Sequence, residues 1–198
     1  MPEHPITKHL NPRAPLVLDT RDLPRRPGAM RTLSRAVPAP ADLGVEMIGV
    51  PEGADVSLDL RLESVSEGVL VSGTISVPLK GECGRCLTPI NTELAVPIQE
   101  LFAYENSTTD ETTEEDEVGR MQGDLIDLEP ALRDAVVLAL PVNPLCRSDC
   151  PGLCPDCGVR WDELPEGHTH EQIDPRWAAL GELTKGQTGR ERKENTEE

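Results

Sequence analysis

Aromatic residues are scarce in this chain of 198 residues, because Phe, Tyr and Trp together make up only 2% of it. A packed core therefore has to be built from Val, Leu, Ile and Ala. The apolar content of 37%, with 19 Pro and 16 Gly, indicates one folded domain of modest size and extensive loops. The same scarcity argues against an aromatic platform that stacks on single-stranded nucleic acid.

Long apolar runs are also missing. No stretch approaches the roughly 18 residues of a membrane span, and the first residues contain no apolar segment typical of a secretory signal. We therefore expect a cytoplasmic protein that does not enter a membrane. Because the cytosol keeps thiols reduced, we do not expect the six cysteines to form structural disulfides.

Basic residues are outnumbered, with 19 Lys and Arg against 36 Asp and Glu, and the formal net charge is −17. Such a charge repels nucleic acid except where a local basic patch overrides it. Residues 1–35 are net basic, whereas residues 105–118 contain seven acids and no base. Both segments are typical of solvated arms and loops. The alternatives are that the arm contacts RNA, with Arg25 and Arg26 as candidate contacts, and that the loop contacts a basic protein.

Apolar and polar residues alternate in three segments, 55–62, 69–79 and 93–99. This period of two predicts half-buried antiparallel strands, so we expect a meander of three or four strands over 54–103. Pro97 favours an edge position for the last of them. We expect a further short edge strand over 16–20 and no regular structure in the Pro- and Arg-rich stretch 21–42.

A helix is predicted over 127–140, after an acidic loop over 104–122. Asp127 suits its N-cap, Pro130 is tolerated in its first turn, and Pro141 ends it. The expected fold class is α+β, a small antiparallel β-meander covered by one main helix. A Cys-rich zinc-knuckle region over 141–170 follows. The ends, 1–14 and 181–198, are expected to be disordered.

The cysteines fall into two clusters with the spacing of metal ligands. Residues Cys83 and Cys86 form one C-x-x-C pair, and the second cluster and two nearby histidines supply Cys146, Cys150, Cys154, Cys157, His168 and His170. Such spacing lets two sulfurs face one ion, and a Zn²⁺ ion with four protein ligands is a structural site. A redox dithiol is the alternative, but it favours a strand-to-helix junction that Cys83 and Cys86 do not occupy.

Eight candidate ligands suit one or two zinc ions. The pairing that we prefer joins Cys83 and Cys86 to Cys146 and Cys150, and leaves a second site made of Cys154, Cys157, His168 and His170. The rival is one zinc ribbon made of Cys83, Cys86, Cys154 and Cys157. The sequence does not decide between them.

Motifs of catalysis are missing. The chain contains no nucleophile elbow, no H-E-x-x-H and no phosphate-binding Gly-rich loop before a helix. We therefore expect a binding protein without a small-molecule substrate. An RNA-processing hydrolase would need an open metal position or a tuned acid–base pair. Trp161 and Trp177 are expected to pack around the metal region.

The order of four segments resembles the YceD family: GECGRCL, DLEPALRDAVVLALP, LCRSDCPGLCPDCG and IDPRWAAL. The resemblance covers roughly residues 16–180, so residues 15–180 are expected to form a YceD-like domain. By position, the family's features fall on Cys83, Cys86, Cys154, Cys157, Asp174, Pro175, Arg176 and Leu180. Where relatives carry C-x-C, this chain has His168 and His170, and imidazole replaces thiolate readily in zinc chemistry.

The resemblance implies a bacterial, non-enzymatic factor for accumulation and processing of large-subunit (23S) ribosomal RNA, and so for ribosome assembly. Implied partners are ribosomal proteins or pre-ribosomal large-subunit particles, with indirect or local contact to ribosomal RNA. Arg176 and Trp177 are further candidate contacts, although Asp174 and Pro175 also fit the start of a helix. The alternative function is a regulator that responds to thiol oxidation or zinc.

Overall fold

The structure is a computed structural model that describes residues 9–107 and 118–170. The chain divides into two compact units, of which the first ends at Cys150 and the second begins at Pro151. Within the described ranges no helix is long and apolar enough to cross a membrane. The predicted disorder of 181–198 and the candidate contacts Arg176 and Trp177 lie outside these ranges, as do residues 1–8.

The first unit is built on antiparallel sheet, as predicted. Among the described residues its strands are β1 (Val17–Asp19), β2 (Met30–Pro38), β3 (Gly44–Val45), β4 (Ile48–Gly49), β5 (Asp55–Ser64), β6 (Gly68–Glu82), β7 (Pro89–Ala103), β8 (Gly119–Arg120) and β9 (Leu125–Asp127). Strand β6 pairs with β7 along one side, and with β5 and the short β4 along the other. Strand β2 lies outside β5, whereas β8 pairs in parallel with the end of β7. Strands β1 and β9 form a separate pair.

The alternation in β5 shows why these residues form a half-buried sheet. Its buried apolar side chains are Val56, Leu58, Leu60 and Leu62, and the residues between them face solvent. Branched aliphatic side chains pack well on one pleated face, and the polar residues hydrate the other. The buried face belongs to one cluster that also contains residues of β1, β9 and the helix.

Strand β2 corrects the prediction that residues 21–42 lack regular structure. It pairs with β5 along its whole length, from Met30 to Pro38. Two of the alternate positions that carry the more buried side chains hold Arg31 and Arg35, whose guanidinium groups donate to backbone carbonyls of the segment 15–19. Because arginine occupies these positions, the sequence of this strand does not show the alternation of apolar and polar residues that predicts a strand. The sheet is therefore larger than the predicted three or four strands.

In the described part of the chain one α-helix, α1 (Glu129–Ala139), covers the sheet. It begins two residues later than predicted, because Asp127 is extended in β9 and its carboxylate accepts the Glu129 amide at 3.1 Å. Leu132 and Val136 are fully buried against the strands. After Pro141 the chain turns back to the hairpin between β6 and β7, where the Gly84 amide donates to the Pro144 carbonyl at 2.8 Å. The helix thus delivers the following cysteines to that hairpin.

Candidate metal centres

The first cysteine group joins the β6–β7 hairpin to the segment that follows α1. The sulfurs of Cys83, Cys86, Cys146 and Cys150 all lie within 4.8 Å of one another. The distance is 3.8 Å between the sulfurs of Cys83 and Cys150, and 3.6 Å between those of Cys86 and Cys146. All six cysteines of the chain are free thiols. This group bridges segments about sixty residues apart in sequence.

The sulfur–sulfur distances fit a tetrahedral metal ion. A Zn–S bond of about 2.3 Å places the sulfurs of a regular tetrahedron about 3.8 Å apart. The observed separations of 3.6 and 3.8 Å are close to that edge, without any movement of the backbone. Four thiolates would complete the coordination shell, which is the arrangement of a structural zinc site.

The pKa values of two thiols in this group are shifted in opposite directions. Burial by itself raises the pKa of the Cys83 thiol, but backbone amides of the hairpin and of Cys146 donate to its sulfur and bring the pKa of Cys83 down to about 6. Burial and the neighbouring sulfurs raise the pKa of Cys146 to about 12. Four sulfurs this close cannot all be anionic without a cation, and a divalent ion removes that conflict.

A tight turn presents the first two sulfurs. The Cys83 amide donates to the Thr88 carbonyl at 2.9 Å, and the Leu87 amide donates to the Cys83 carbonyl at 2.9 Å. Within this turn Leu87 adopts a left-handed backbone, with φ of 58°. That conformation costs an L-residue with a side chain roughly 1–2 kcal/mol.

The second unit repeats this turn at its own C-x-x-C pair. The Cys154 amide donates to the Val159 carbonyl at 2.8 Å, and the Gly158 amide donates to the Cys154 carbonyl at 2.9 Å. Gly158 has the left-handed backbone here, with φ of 70°. The backbone amide of Cys157 lowers the pKa of the Cys154 thiol, so this turn also favours thiolate.

Two histidines complete the second group. Ligand atoms of Cys154, Cys157, His168 and His170 lie within 4.8 Å of one another. The His168 Nε2 atom lies 3.6 Å from the Cys157 sulfur and 2.7 Å from the His170 Nε2 atom. With Zn–N bonds of 2.0–2.1 Å, two imidazole nitrogens of a tetrahedral site lie about 3.3 Å apart. The imidazoles therefore fit an ion after they separate by roughly 0.6 Å.

The two groups differ in exposure. In the first group Cys83, Cys86 and Cys150 are buried. In the second group only Cys154 is buried, His168 is half-buried, and the other two are exposed. The ring of Trp161 meets that of His168 edge-on at 5.8 Å, as expected for a residue that packs near a metal. Solvent therefore reaches the second group more readily than the first.

The structure brings together the two sets of the preferred pairing, one in each compact unit. Binding of zinc to them stays a prediction. The proposed contact Arg25 is engaged within the fold, because its guanidinium pairs with Asp124 at 2.7 Å and lies 4.9 Å from the centre of the Tyr104 ring. Arg26 is exposed. A partner-binding role for these arginines stays a prediction.

Sequence reasoning missed two residues of the first group. The Thr88 hydroxyl lies 3.1 Å from the Cys86 sulfur and lowers the pKa of that thiol. The Arg85 guanidinium donates to the Cys150 carbonyl at 2.9 Å and so ties the two segments together. Thr88 could have been found from the sequence, because it places a hydroxyl two residues after the C-x-x-C pair. The hydrogen bond of Arg85 could not, because its acceptor is brought near only by the tertiary structure.

Comparison with known proteins identifies relatives. A family model described as "Large ribosomal RNA subunit accumulation protein YceD" matches residues 71–184, a range that includes both metal-ligand groups. An uncharacterized protein of Mycobacterium tuberculosis (strain ATCC 25618 / H37Rv) is 55% identical over 181 residues, which cover 91% of this chain and 87% of that protein.

More distant relatives extend the similarity. An uncharacterized protein of Mycobacterium leprae is 46% identical over 181 residues, covering 91% of this chain and 83% of its own length. The uncharacterized protein YlbN of Bacillus subtilis is 30% identical over 128 residues, covering 64% of this chain and 70% of its own length. No solved structure matches this chain at a significant level.

Proposed function

Since this chain belongs to the YceD family, we propose that it is a non-enzymatic factor for the accumulation of large-subunit ribosomal RNA and for ribosome assembly. The family match over 71–184 is the observation that carries the proposal. It agrees with the resemblance of the sequence motifs, which pointed to the same family. This role implies action in the cytoplasm, where large subunits are assembled.

We attribute a supporting role to zinc. Each ligand group offers four protein donors, so a bound ion would have no open position for a substrate or an activated water. The first group would fasten the segment after α1 to the β6–β7 hairpin, and the second would close the turn around Cys154. On this view, the protein acts through its surfaces and not through a reaction at the metal.

Basic ribosomal proteins are the partners that its charge favours. The formal net charge of −17 repels phosphate and attracts Lys- and Arg-rich chains. Contact with ribosomal RNA itself would need a local basic patch, for which Arg25 and Arg26 are the proposed residues. Pre-ribosomal large-subunit particles offer both kinds of partner.

Deletion of the gene tests this function. We expect cells without the protein to contain less large-subunit ribosomal RNA relative to small-subunit RNA, and fewer complete large subunits on sedimentation in sucrose gradients. A plasmid copy should restore both quantities. Unchanged RNA ratios and sedimentation profiles across several growth rates and temperatures would contradict the proposal.

Exposure of the second ligand group supports a second candidate, a regulator that responds to thiol oxidation. Cys157 is exposed, and its sulfur lies beside the His168 imidazole at 3.6 Å. Oxidation of such a thiolate would release the ion and loosen the turn. Zinc release by mild peroxide, together with changed binding of a ribosomal partner, supports this candidate. Release without any change in binding contradicts it.

A further inference from the structure

The first cysteine group has one sulfur that solvent reaches readily. Three of its cysteines are buried, and Cys146 is exposed. When the four sulfurs bind a zinc ion, each of them is a thiolate, and a thiolate is the form of cysteine that reacts with an oxidant. Exposure then decides which sulfur a dissolved oxidant meets first. In this group that sulfur belongs to Cys146.

A second sulfur lies close to that of Cys146. The Cys86 sulfur is 3.6 Å away, so the two need to approach by only about 1.6 Å to reach the length of a disulfide bond. The Thr88 hydroxyl lies 3.1 Å from the Cys86 sulfur, where it can donate a hydrogen bond to a thiolate. Cys86 belongs to the β6–β7 hairpin and Cys146 to the segment after α1, so a bond between them would join the two.

Contacts that involve no sulfur also hold the hairpin and the segment together. The Gly84 amide donates to the Pro144 carbonyl at 2.8 Å. The Arg85 guanidinium donates to the Cys150 carbonyl at 2.9 Å. A methyl group at Gly84 would come within 2.3 Å of the side-chain oxygen of Asn143, so the two parts are in direct contact there. These contacts keep the cysteines of the two parts near each other when an ion leaves, and they favour a bond between them.

The second group lacks this arrangement. Its two sulfurs, those of Cys154 and Cys157, belong to one turn, so a disulfide between them would join no separate segments. Its other two ligands are His168 and His170, whose imidazoles form no such bond. Oxidation therefore removes the link that an ion makes in the second group, whereas in the first group a covalent link can take its place.

We propose that Cys146 and Cys86 form an oxidation site, at which a peroxide converts the metal-binding group into a disulfide that keeps the segment after α1 attached to the hairpin. The proposal does not depend on a role in ribosome assembly, because it concerns a reaction of the chain itself.

The reaction has two steps and consumes one molecule of hydrogen peroxide. The Cys146 thiolate attacks a peroxide oxygen, the O–O bond breaks, and hydroxide leaves a sulfenic acid on Cys146. The Cys86 thiolate then attacks that sulfur, the S–O bond breaks, and a second hydroxide leaves. The two thiolates lose two electrons in total, and the peroxide gains them. Once these sulfurs are joined, the group retains two thiolates and no longer completes the four-ligand shell of an ion.

Peptide mapping after peroxide treatment tests the proposal. The zinc-loaded full chain is treated with a small excess of hydrogen peroxide, the remaining thiols are alkylated, and linked peptides are identified by mass spectrometry without reduction. We expect the Cys86–Cys146 link as the first and main product, and we expect it to form as one zinc ion is released. Predominance of any other product overturns the proposal, whether a link between Cys83 and Cys86, a link between two molecules, or an unlinked sulfinic acid.

A pair of variants separates the two steps. In Cys86→Ser the sulfenic acid has lost the thiolate at 3.6 Å, so we expect loss of the link and labelling of Cys146 by dimedone, a reagent for sulfenic acids. The matched control is Cys157→Ser, which removes an exposed thiol of the second group and should form the link at the wild-type rate. Equal loss of the link in Cys157→Ser overturns the proposal. The map of the wild-type chain stays decisive if Cys86→Ser does not fold.

Trypsin measures whether the link holds the segment. Arg147 is exposed and lies in the segment after α1, next to Cys146, so cleavage after Arg147 reports on local opening there. We expect this cleavage to be about tenfold slower in the zinc-loaded chain and in the oxidised chain than in the reduced, zinc-free chain. Cleavage of the oxidised chain as fast as that of the reduced, zinc-free chain overturns the proposal.

Discussion

Leu87 and Gly158 occupy the same place in two turns of the same design. In each turn the amide of this residue donates to the carbonyl of the first cysteine, four residues earlier, at 2.9 Å. In each turn the backbone is left-handed, with φ of 58° at Leu87 and 70° at Gly158. The first turn therefore contains a strained leucine where the second contains an unstrained glycine. Replacing each residue in turn tests the cost of this strain in both directions.

Replacement of Leu87 by glycine should not destabilise the protein. Relief of the left-handed strain is worth about 1 kcal/mol or more, and the larger entropy of glycine in the unfolded chain offsets part of it. We expect the free energy of unfolding to be unchanged or higher by up to about 1 kcal/mol in urea titrations of the zinc-loaded chain. A loss of more than about 1 kcal/mol would show that the leucine side chain supports the fold.

Replacement of Gly158 by alanine should have the opposite effect. No atom lies within 4 Å of the place that the new methyl group takes, so the cost comes from the backbone alone. We expect zinc affinity of the second group to fall about tenfold, which corresponds to roughly 1.4 kcal/mol of strain. Competition with a chromophoric chelator measures this affinity. The matched control is Gly53→Ala, at another left-handed glycine in open space that lies in the first unit.

Removal of the Arg85 side chain should loosen the first group without removing a ligand. Its guanidinium donates to the Cys150 carbonyl at 2.9 Å, and a hydrogen bond from a charged donor is worth about 1.5–3 kcal/mol. Because Arg85 is exposed, we expect the lower end of that range. Zinc should leave the first group about tenfold faster in Arg85→Ala and at the wild-type rate in Lys80→Ala.

The sequence patterns predicted the elements whose side chains obey one simple period. Leu58 and Leu60 alternate with polar residues, and the strand that contains them lies where the period placed it. Strand β2 was missed because Arg31 and Arg35 stand where an apolar period would show, and their guanidinium groups donate to carbonyls of a distant segment. These residues form a strand because they pair with β5, and their local sequence pattern does not predict it.

The metal ligands were predictable as residue types, but the equivalence of the two turns was not. A glycine at position 158 predicts a left-handed residue in the second turn, because glycine adopts that conformation readily. A leucine at position 87 does not predict one in the first turn. Its conformation follows from the closure of the β6–β7 hairpin by the Cys83 and Thr88 hydrogen bond. The register of β6 with β7, which runs over the whole of both strands, imposes that closure.

The two groups should exchange zinc at different rates. The first group is largely buried, whereas the second exposes Cys157 and His170 to solvent and to chelators. We expect an excess of chelator to remove one ion about tenfold faster or more than the other. The variant Cys154→Ser should abolish the fast phase and leave the slow one. Loss of both ions in one phase would contradict the difference in exposure.

Native mass spectrometry of the chain, purified without oxygen, tests the central claim of two separate metal centres. We predict two zinc ions in the wild type and one in each of the variants Cys83→Ser and Cys154→Ser, because each variant disables a different group. A chain without zinc would contradict the claim. So would a single ion that both variants lose, because Cys83 and Cys154 would then share one site.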